Sequence, residues 1–193
     1  AGIPQMARSV PQRSQRKRQS LHVSVAAGRP GDLRYPSLYG RTGEPGGVLS
    51  CWVPLDLRPA DFSIIVRSFQ EAMPHSSLWM ANNCLNKHAV LLGTLNPMRI
   101  DFEQVKTYVD RQDIKADLAE INIQSVYELL DCFVVDEKGL RNIGANGPLN
   151  TDDKPFLEFG AAIKRDIEGC WIDILQGIIQ NHSPVFNNVH NMG

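Results

Sequence analysis

Two adjacent carboxylates, Asp152 and Asp153, stand in the segment GPLNTDDKPFLEFGA, which spans residues 147–161. Two carboxylates held side by side on a turn can bind a cation, either a metal ion or an amine. A simpler account is that Asn150, Thr151 and Asp152 cap a turn with their side chains before the run PFLEF extends as a strand. The residue types favour the turn and leave a cation site as the alternative.

Two further candidate residues, Cys51 and Trp52, lie near the carboxyl end of a predicted strand. Residues 48–53 follow a Pro-Gly-Gly turn and are apolar almost throughout, which predicts a buried strand of a parallel sheet. Trp52 lies at the carboxyl end of this strand, where doubly wound sheets bind ligands, so it is a candidate substrate-binding residue as well as a candidate core residue. Cys51 as a nucleophile would need a nearby base, and a buried structural thiol is favoured.

The cysteines and the hydropathy exclude several classes of protein. Cysteines occur at positions 51, 84, 132 and 170, with no CxxC pair and no histidine at ligand spacing, so we expect no metal site and a reducing, cytoplasmic location. Charge or proline interrupts every apolar run before the roughly 18–20 residues that a membrane span requires. No secretory signal is visible at the start of the sequence.

The charge distribution divides the chain into two parts. Residues 1–41 hold eight Lys or Arg and one acid, whereas residues 42–193 hold twelve bases and twenty acids. The first part shows no helical or strand period, so residues 1–43 are predicted to be a largely disordered basic tail, with a non-native origin as an alternative. Its cluster RSQRKRQS has no interleaved aromatic residues to stack bases, so nucleic-acid binding is not expected.

The pattern becomes globular from Glu44. A helix is predicted from Pro59 to the proline at position 74, and strands are predicted at residues 76–81 and 88–94. The linker NNCLNK between these strands is too short for a crossover helix, so they should form an antiparallel hairpin. The remaining predicted elements are helices at about 101–111, 125–135 and 161–180, and a loop at 137–153.

Three segments in this order carry a resemblance to a known family. They are PGGVLSCWVPLDLRPADFSIIVRSFQEAMPHSSLWMAN, LLGTLNPMRIDFEQV and LNTDDKPFLEF. Together they resemble the carboxyl-terminal part of the bacterial spermidine synthase-like family over residues 44–161. The resemblance implies the carboxyl-terminal half of a class I methyltransferase-like, doubly wound α/β sheet. Its parts would be a parallel strand, a helix and a terminal antiparallel hairpin, with residues 162–193 adding an amphipathic helix and a tail.

The resemblance also implies a chemistry. Intact members move an aminopropyl group from decarboxylated S-adenosylmethionine to a diamine, with a glycine-rich loop and an acid that hold the nucleotide in the amino-terminal half. No strand leading into such a loop precedes Gly46. The chain is therefore expected to be a fragment that binds no cofactor alone and is inactive alone. The implied partner is a polyamine, with a homo-oligomer or a fused membrane or repeat segment as further options.

Two departures from the family pattern keep other functions open. Cys51 stands where the family often has Gln, and the loop at residues 82–87 lacks the family's Tyr. An S-adenosylmethionine-dependent methyltransferase relative and a noncatalytic interaction module, docking through its last helix, remain as alternatives. No catalytic residue is assigned, and Trp52, Asp152 and Asp153 are the candidate substrate-binding residues.

Overall fold

A computed structural model describes residues 23–26, 47–81, 87–157 and 170–192. The strands in this part of the chain are β1 (Val23–Ala26), β2 (Val48–Pro54), β3 (His75–Trp79), β4 (His88–Thr94), β5 (Ile100–Asp101), β6 (Phe133–Val135) and β7 (Val189–His190). The helices are α1 (Pro59–Ala72), α2 (Phe102–Val109), α3 (Gln112–Glu120), α4 (Val126–Leu130), α5 (Glu137–Gly144) and α6 (Cys170–Gln180), with a 3-10 turn at Val185–Asn187.

The main sheet has five strands in the order β1-β2-β4-β3-β6, and all its pairs are antiparallel. Strands β5 and β7 form a separate parallel pair. Because β2 and β3 both pair antiparallel with β4, they run in the same direction with β4 inserted between them. Helix α1 connects β2 to β3 across this insertion.

The predicted hairpin is confirmed by the pairing of β3 with β4, in which Leu78 lies opposite Leu91. The connection at residues 80–87 leaves no room for a crossover helix, as the sequence indicates. The predicted helix after Pro59 is also confirmed, and it ends at Ala72 because Pro74 disfavours helical geometry in the residue before it. The chain is thus a mixed α/β protein, as predicted.

The prediction that residues 48–53 form a strand of a parallel sheet is wrong. Strand β2 pairs antiparallel with both β1 and β4. Its burial alternates, since Leu49, Cys51 and Val53 are buried while Trp52 is half-buried. Only one face of the strand is fully covered, which is typical of antiparallel sheets, and a continuous apolar run in the sequence does not distinguish the two cases.

The core lies between the sheet and one helical layer. Cys51, Leu91, Leu78 and Val135 are paired in one row across β2, β4, β3 and β6, and none is more than 2% exposed. Paired residues of antiparallel strands project to the same face, so this row forms a continuous apolar surface. It packs against buried side chains of α1, α5 and α6, namely Phe62, Ile65, Val66, Phe69, Leu140, Ile174 and Ile178.

The last amphipathic helix packs its apolar face into the same core. The sequence predicts this helix at 161–180, and the structure describes it as α6 from Cys170, while residues 161–169 lie outside the described part. Ile174 and Ile178 are each 3% exposed against the sheet layer, whereas Ile172 and Ile179 remain 47% and 70% exposed. Most of the apolar stripe of α6 is therefore used inside the domain.

A second cluster covers the β3 end of the other sheet face. It contains Phe102 and Val109 of α2 and Val126 and Leu130 of α4, with Trp79 of β3 packed against it. The predicted start of α2 is confirmed, because the Asp101 side chain accepts a hydrogen bond from the Gln104 amide at 2.9 Å. The core against α1, α5 and α6 and this second cluster thus lie on opposite faces of the sheet.

The structure also differs from the sequence-based expectation at other places. The predicted helix at 125–135 ends at Leu130 and is followed by β6, which pairs with β3. The predicted loop at 137–153 begins with helix α5. Residues 23–26, which fall in the predicted disordered tail, form β1 beside β2, and the other residues of 1–43 lie outside the described part.

The glycines of the predicted loop serve packing rather than chain reversal. A Cβ at Gly139 would lie 2.5 Å from Val135 Cγ1 and 2.6 Å from the Asn181 carbonyl oxygen. The Asp136 side chain starts α5 by accepting a hydrogen bond from the Gly139 amide at 2.8 Å. Composition alone indicated a loop because close packing between elements cannot be recognised from local sequence.

Substitution of Gly93 in β4 will test how closely α1 packs on the sheet. An alanine Cβ there would lie 2.5 Å from Met73 Cβ and 2.7 Å from Phe69 Cε1. We expect Gly93→Ala to lower the free energy of unfolding by about 1–3 kcal/mol in urea denaturation, since overpacking forces the neighbours to shift. Gly177→Ala is the control. No heavy atom lies within 4 Å of its added Cβ, so that variant should gain about 0.5–1 kcal/mol of helix propensity. Equal losses in the two variants would contradict the close packing.

Candidate functional site

Trp52 is half-buried near the carboxyl end of β2. Its ring centroid lies 4.6 Å from that of His88, the first residue of β4, with the rings tilted at 54°. Trp52 alternates along β2 with Cys51 and Val53, which face α1, so it projects to the opposite face of the sheet. An aromatic ring in this position can stack on a flat ligand or cover the sheet edge.

The two aspartates lie on an exposed turn. The turn is closed by the Lys154 amide, which donates to the Thr151 carbonyl at 3.0 Å and to Thr151 Oγ1 at 3.2 Å. Asp152 and Asp153 are exposed, and neither carboxylate has a hydrogen-bond partner among the described residues. The predicted turn is therefore present with Thr151 and Asn150 bonded as expected, whereas Asp152 makes no capping bond among the described residues. The two carboxylates are free to meet solvent.

Asn150 attaches this turn to the core. Its backbone N–H donates to Ser68 Oγ of α1 at 2.9 Å. Its side-chain Oδ1 accepts from the backbone N–H of Leu157 at 3.0 Å. The prediction of a strand after the turn is wrong where the structure describes it, because Phe156 and Leu157 are helical. The Asn150 side chain holds the Leu157 amide in the way that an N-cap holds a helix start, which explains the difference.

The structure does not bring all three predicted site residues together. Asp152 and Asp153 lie next to each other on the turn anchored to α1, which covers one face of the sheet. Trp52 projects from the other face. The three side chains therefore do not line one pocket, and their assignment to substrate binding stays a prediction.

A second group of polar residues surrounds a cavity at the amino end of β3, which we call the edge cavity. It has a volume of about 230 Å³, and its wall includes His75, Ser76, Met98, Glu137 and Arg141. His75 Nδ1 lies 2.9 Å from Glu137 Oε2, and Arg141 Nη1 donates to Glu137 Oε1. Strand β3 positions the histidine, and the first two turns of α5 position the other two charged groups.

Glu137 is ionised in this arrangement. Partial burial acts to raise the pKa of its carboxyl, but hydrogen bonds from Arg141 and His75 outweigh burial and hold that pKa below its ordinary value. A carboxylate on Nδ1 fixes the orientation of the imidazole and leaves Nε2 to meet a ligand or solvent. The cluster can therefore transfer a proton at Nε2 or bind an anion beside Arg141.

Ser76 is the buried polar residue of the edge cavity. The residue is 3% exposed, and its Oγ has no hydrogen-bond partner among the described residues. Its neighbour Ser77 is also buried, but Ser77 Oγ accepts from Trp79 Nε1 at 2.8 Å and lies 3.6 Å from Met98 Sδ. An unsatisfied buried hydroxyl costs free energy, but Ser76 Oγ has almost no accessible surface, so a ligand in the cavity does not reach it.

The sequence identified neither His75 nor Glu137 as a site residue. His75 is the first residue of β3, and its partner lies 62 residues away in the sequence. The spacing of Glu137 and Arg141 at i, i+4 was the available signal, because opposite charges at this spacing indicate a helix. Cys51 is a structural thiol, as favoured, since burial raises its pKa to about 11 and keeps it protonated.

Several classes of site are not found in the described part. No group of three or more His, Cys, Asp or Glu residues could hold a metal ion there, and no helix there has the length and apolar character to cross a bilayer. Compared with protein-family models, with curated proteins and with solved structures, the chain matches none of them. None of the three comparisons supports the resemblance of the three segments, which stays an expectation.

Replacing Asn150 and Asp153 separately will show which of them supports the fold. We expect Asn150→Ala to lower the free energy of unfolding by about 1–2 kcal/mol, because it leaves the Leu157 amide without its acceptor. Asp153→Ala, three residues along the same exposed turn, should change it by less than about 0.5 kcal/mol. Urea denaturation monitored by circular dichroism measures both. A larger loss for Asp153→Ala would show that its carboxylate has a structural partner.

The acid end of the stability profile tests the Glu137 cluster. The pKa of Glu137 is lowered in the folded chain from 4.5, so the carboxylate stabilises the fold above that pH. This contribution is lost as the pH falls through the folded-state pKa. Glu137→Gln should therefore lose stability at pH 7 and show a shallower fall in melting temperature between about pH 5 and pH 3. Glu120→Gln, an exposed residue of α3, is the control and should follow the wild-type profile.

Proposed function

We propose that this chain supplies the carboxyl-terminal part of a spermidine synthase-like transferase domain. In the intact family such a domain moves an aminopropyl group from decarboxylated S-adenosylmethionine to a diamine. The observation that carries the proposal is the path of β2, α1, β3 and β4. Strands β2 and β3 run in the same direction, α1 joins them, and β4 returns antiparallel between them.

The path agrees with the order of elements that the resemblance implies, although β2 pairs antiparallel with both of its described neighbours. The end of a class I transferase sheet is expected to contain a strand, a crossover helix and a terminal antiparallel hairpin. The first of the three family-like segments forms β2, α1 and β3, and the second continues from β4 into α2. The third is the turn that Asn150 fastens to α1. The three segments thus contact the same helix, α1. This shared contact supports the proposal that they belong to one domain.

The donor nucleotide is not expected to bind to this part alone. Nucleotide sites of doubly wound sheets use a glycine-rich loop that opens a helix after a strand. In the described part, the helix that follows β2 begins instead with Arg58 and Pro59, and Arg58 is paired with Asp61 at 2.7 Å. The chain therefore contributes the acceptor side and the scaffold rather than the nucleotide cradle.

The carboxylates of Asp152 and Asp153 are the proposed contacts for the diamine. They are adjacent, exposed and without hydrogen-bond partners among the described residues, so an ammonium group can approach both. A diamine bears one ammonium group at each end, and an electronegative surface at one end leaves the other amine free to react.

Two titrations by calorimetry or NMR test the proposal. Decarboxylated S-adenosylmethionine and S-adenosylmethionine should give no saturable signal, and a dissociation constant of about 10 μM or tighter for either would contradict the absence of a nucleotide cradle. Putrescine should shift the amides of the 151–154 turn. The double variant Asp152→Asn/Asp153→Asn should bind it about fivefold more weakly, because exposed ion pairs contribute 0.2–1 kcal/mol each.

A matched control separates this site from general attraction of a cation. Asp110 and Asp117 are also exposed, and they lie at the α2 end and on α3. The double variant Asp110→Asn/Asp117→Asn removes the same charge and should leave putrescine binding unchanged. Equal weakening in both double variants, or no shift at the turn, would remove the two aspartates from the proposed function.

A further inference from the structure

One part of the sheet face opposite α1 lies outside both apolar clusters. It consists of four residues on two neighbouring strands, Val48 and Trp52 of β2 and Val90 and Leu92 of β4, which we call the open face. Each alternates along its strand with core residues that face α1, so all four project to the other side. All four are half-buried, and none belongs to either cluster of the described residues. The open face is therefore an apolar surface that the described helices leave without a partner.

The helices α2, α3 and α4 stand beside the open face. We call residues 101–131, which contain these helices, the helical lobe. The apolar cluster of the lobe packs on Trp79 of β3. Trp79 pairs with Val90, and Val90 pairs with Trp52, so the three lie in one row across the sheet. Neighbouring strands are about 4.8 Å apart, which places Trp52 about 10 Å from the strand that carries the lobe. The lobe therefore forms one side of the open face.

The helical lobe is acidic. It contains eight Asp or Glu residues and three Lys or Arg residues. Asp131 lies two residues before Phe133, the partner of Trp79 in β6. Its side chain is exposed and makes no ion pair with any residue that the structure describes. Because charges act over about 10 Å at ordinary ionic strength, a cation on the open face is attracted by the lobe.

The amino-terminal segment, residues 1–22, joins the sheet beside the open face. It leads into β1 at Val23, which pairs with Cys51 of β2. Because β1 runs antiparallel to β2, the amino end of β1 faces the row of Trp52. The sheet measures about 14 Å from β1 to β3. The five residues from Arg18 to Val23 can span up to about 17 Å. The segment is therefore long enough to cross the open face and to reach the helical lobe.

The charge of the amino-terminal segment complements that of the lobe. The segment contains no acid and five cations, namely Arg8, Arg13, Arg16, Lys17 and Arg18. The lobe has five more acids than bases. Lysine and arginine cover apolar surface with their aliphatic stems while the charged group reaches water or an acid. A guanidinium group also stacks on an indole ring. A basic segment can therefore cover the apolar open face and contact the acidic lobe together.

We propose that the amino-terminal segment of this chain docks on the open face, with its cations against Trp52 and the acids of the helical lobe. Trp52 then serves an internal contact rather than a substrate. The alternative occupant is a second copy of the chain, but a dimer through this face would bring two acidic lobes together, and like charges repel. The inference is independent of the function proposed above, since it uses neither Asp152 nor Asp153.

A full-length triple variant tests the docking by NMR. Arg16→Gln/Lys17→Gln/Arg18→Gln removes three cations of the segment, so it should shift the indole N–H of Trp52 and the backbone N–H of Val90. In the wild type, raising the salt concentration from about 0.1 M to about 1 M should shift the same signals in the same direction, because salt screens exposed charges. The triple variant should respond less to salt, since it has already lost these contacts.

A matched control removes the same charge elsewhere. Arg67→Gln/Arg99→Gln/Lys138→Gln replaces three exposed cations that lie outside the segment and outside the helical lobe. The signals of Trp52 and Val90 should keep their wild-type positions in this control. Unchanged signals in the segment variant, or equal shifts in the two triple variants, would overturn the proposed docking.

A peptide of residues 1–22, added to the segment variant, gives a second measurement. It should shift the Trp52 indole signal with a dissociation constant of about 1 mM or tighter. The same peptide with the three glutamines should bind about threefold more weakly or worse, because each exposed ion pair contributes little. Absence of a shift would contradict the docking. Trp52 shifts that follow protein concentration and not the charge of the segment would assign the open face to a second copy and would also overturn the proposal. None of these results bears on the putrescine titration.

Discussion

The insertion of β4 between β2 and β3 is the constraint on which the rest of the structure depends. It fixes the register that places Cys51, Leu91 and Leu78 in one row. A shift of one residue would turn each of these side chains to the other face, away from α1. Since the row supplies the sheet side of the core, the helices α1, α5 and α6 can pack only in this register.

Helix α1, which packs on this sheet, makes hydrogen bonds to both candidate sites. Ser68 on this helix holds the Asn150 amide and with it the exposed aspartates. Gln70 Nε2, two residues further on, donates to the Glu137 carbonyl at 3.1 Å at the start of α5. One helix packed on one sheet face thus positions both the exposed aspartates and the start of α5 beside the edge cavity.

The elements that the sequence predicted are those with a local cause. Pro59 and Pro74 bound α1, Asp101 caps α2, and the short connection at residues 80–87 forces the hairpin of β3 and β4. The direction of β2 was predicted wrongly, because direction depends on which strand lies beside it and not on its own residues. The edge cavity was missed for the same reason, since His75 and Glu137 are joined by tertiary packing across 62 positions.

The two acidic candidates show why residue type alone does not define a site. Asp152 and Asp153 are conspicuous in the sequence, and the structure leaves them unpaired on a solvated turn, where an ammonium ligand would gain only the small energy of exposed ion pairs. Glu137 is inconspicuous, yet its hydrogen bonds to His75 and Arg141 keep it ionised in a half-buried position. The groups that remain available at a cavity are thus those without internal partners.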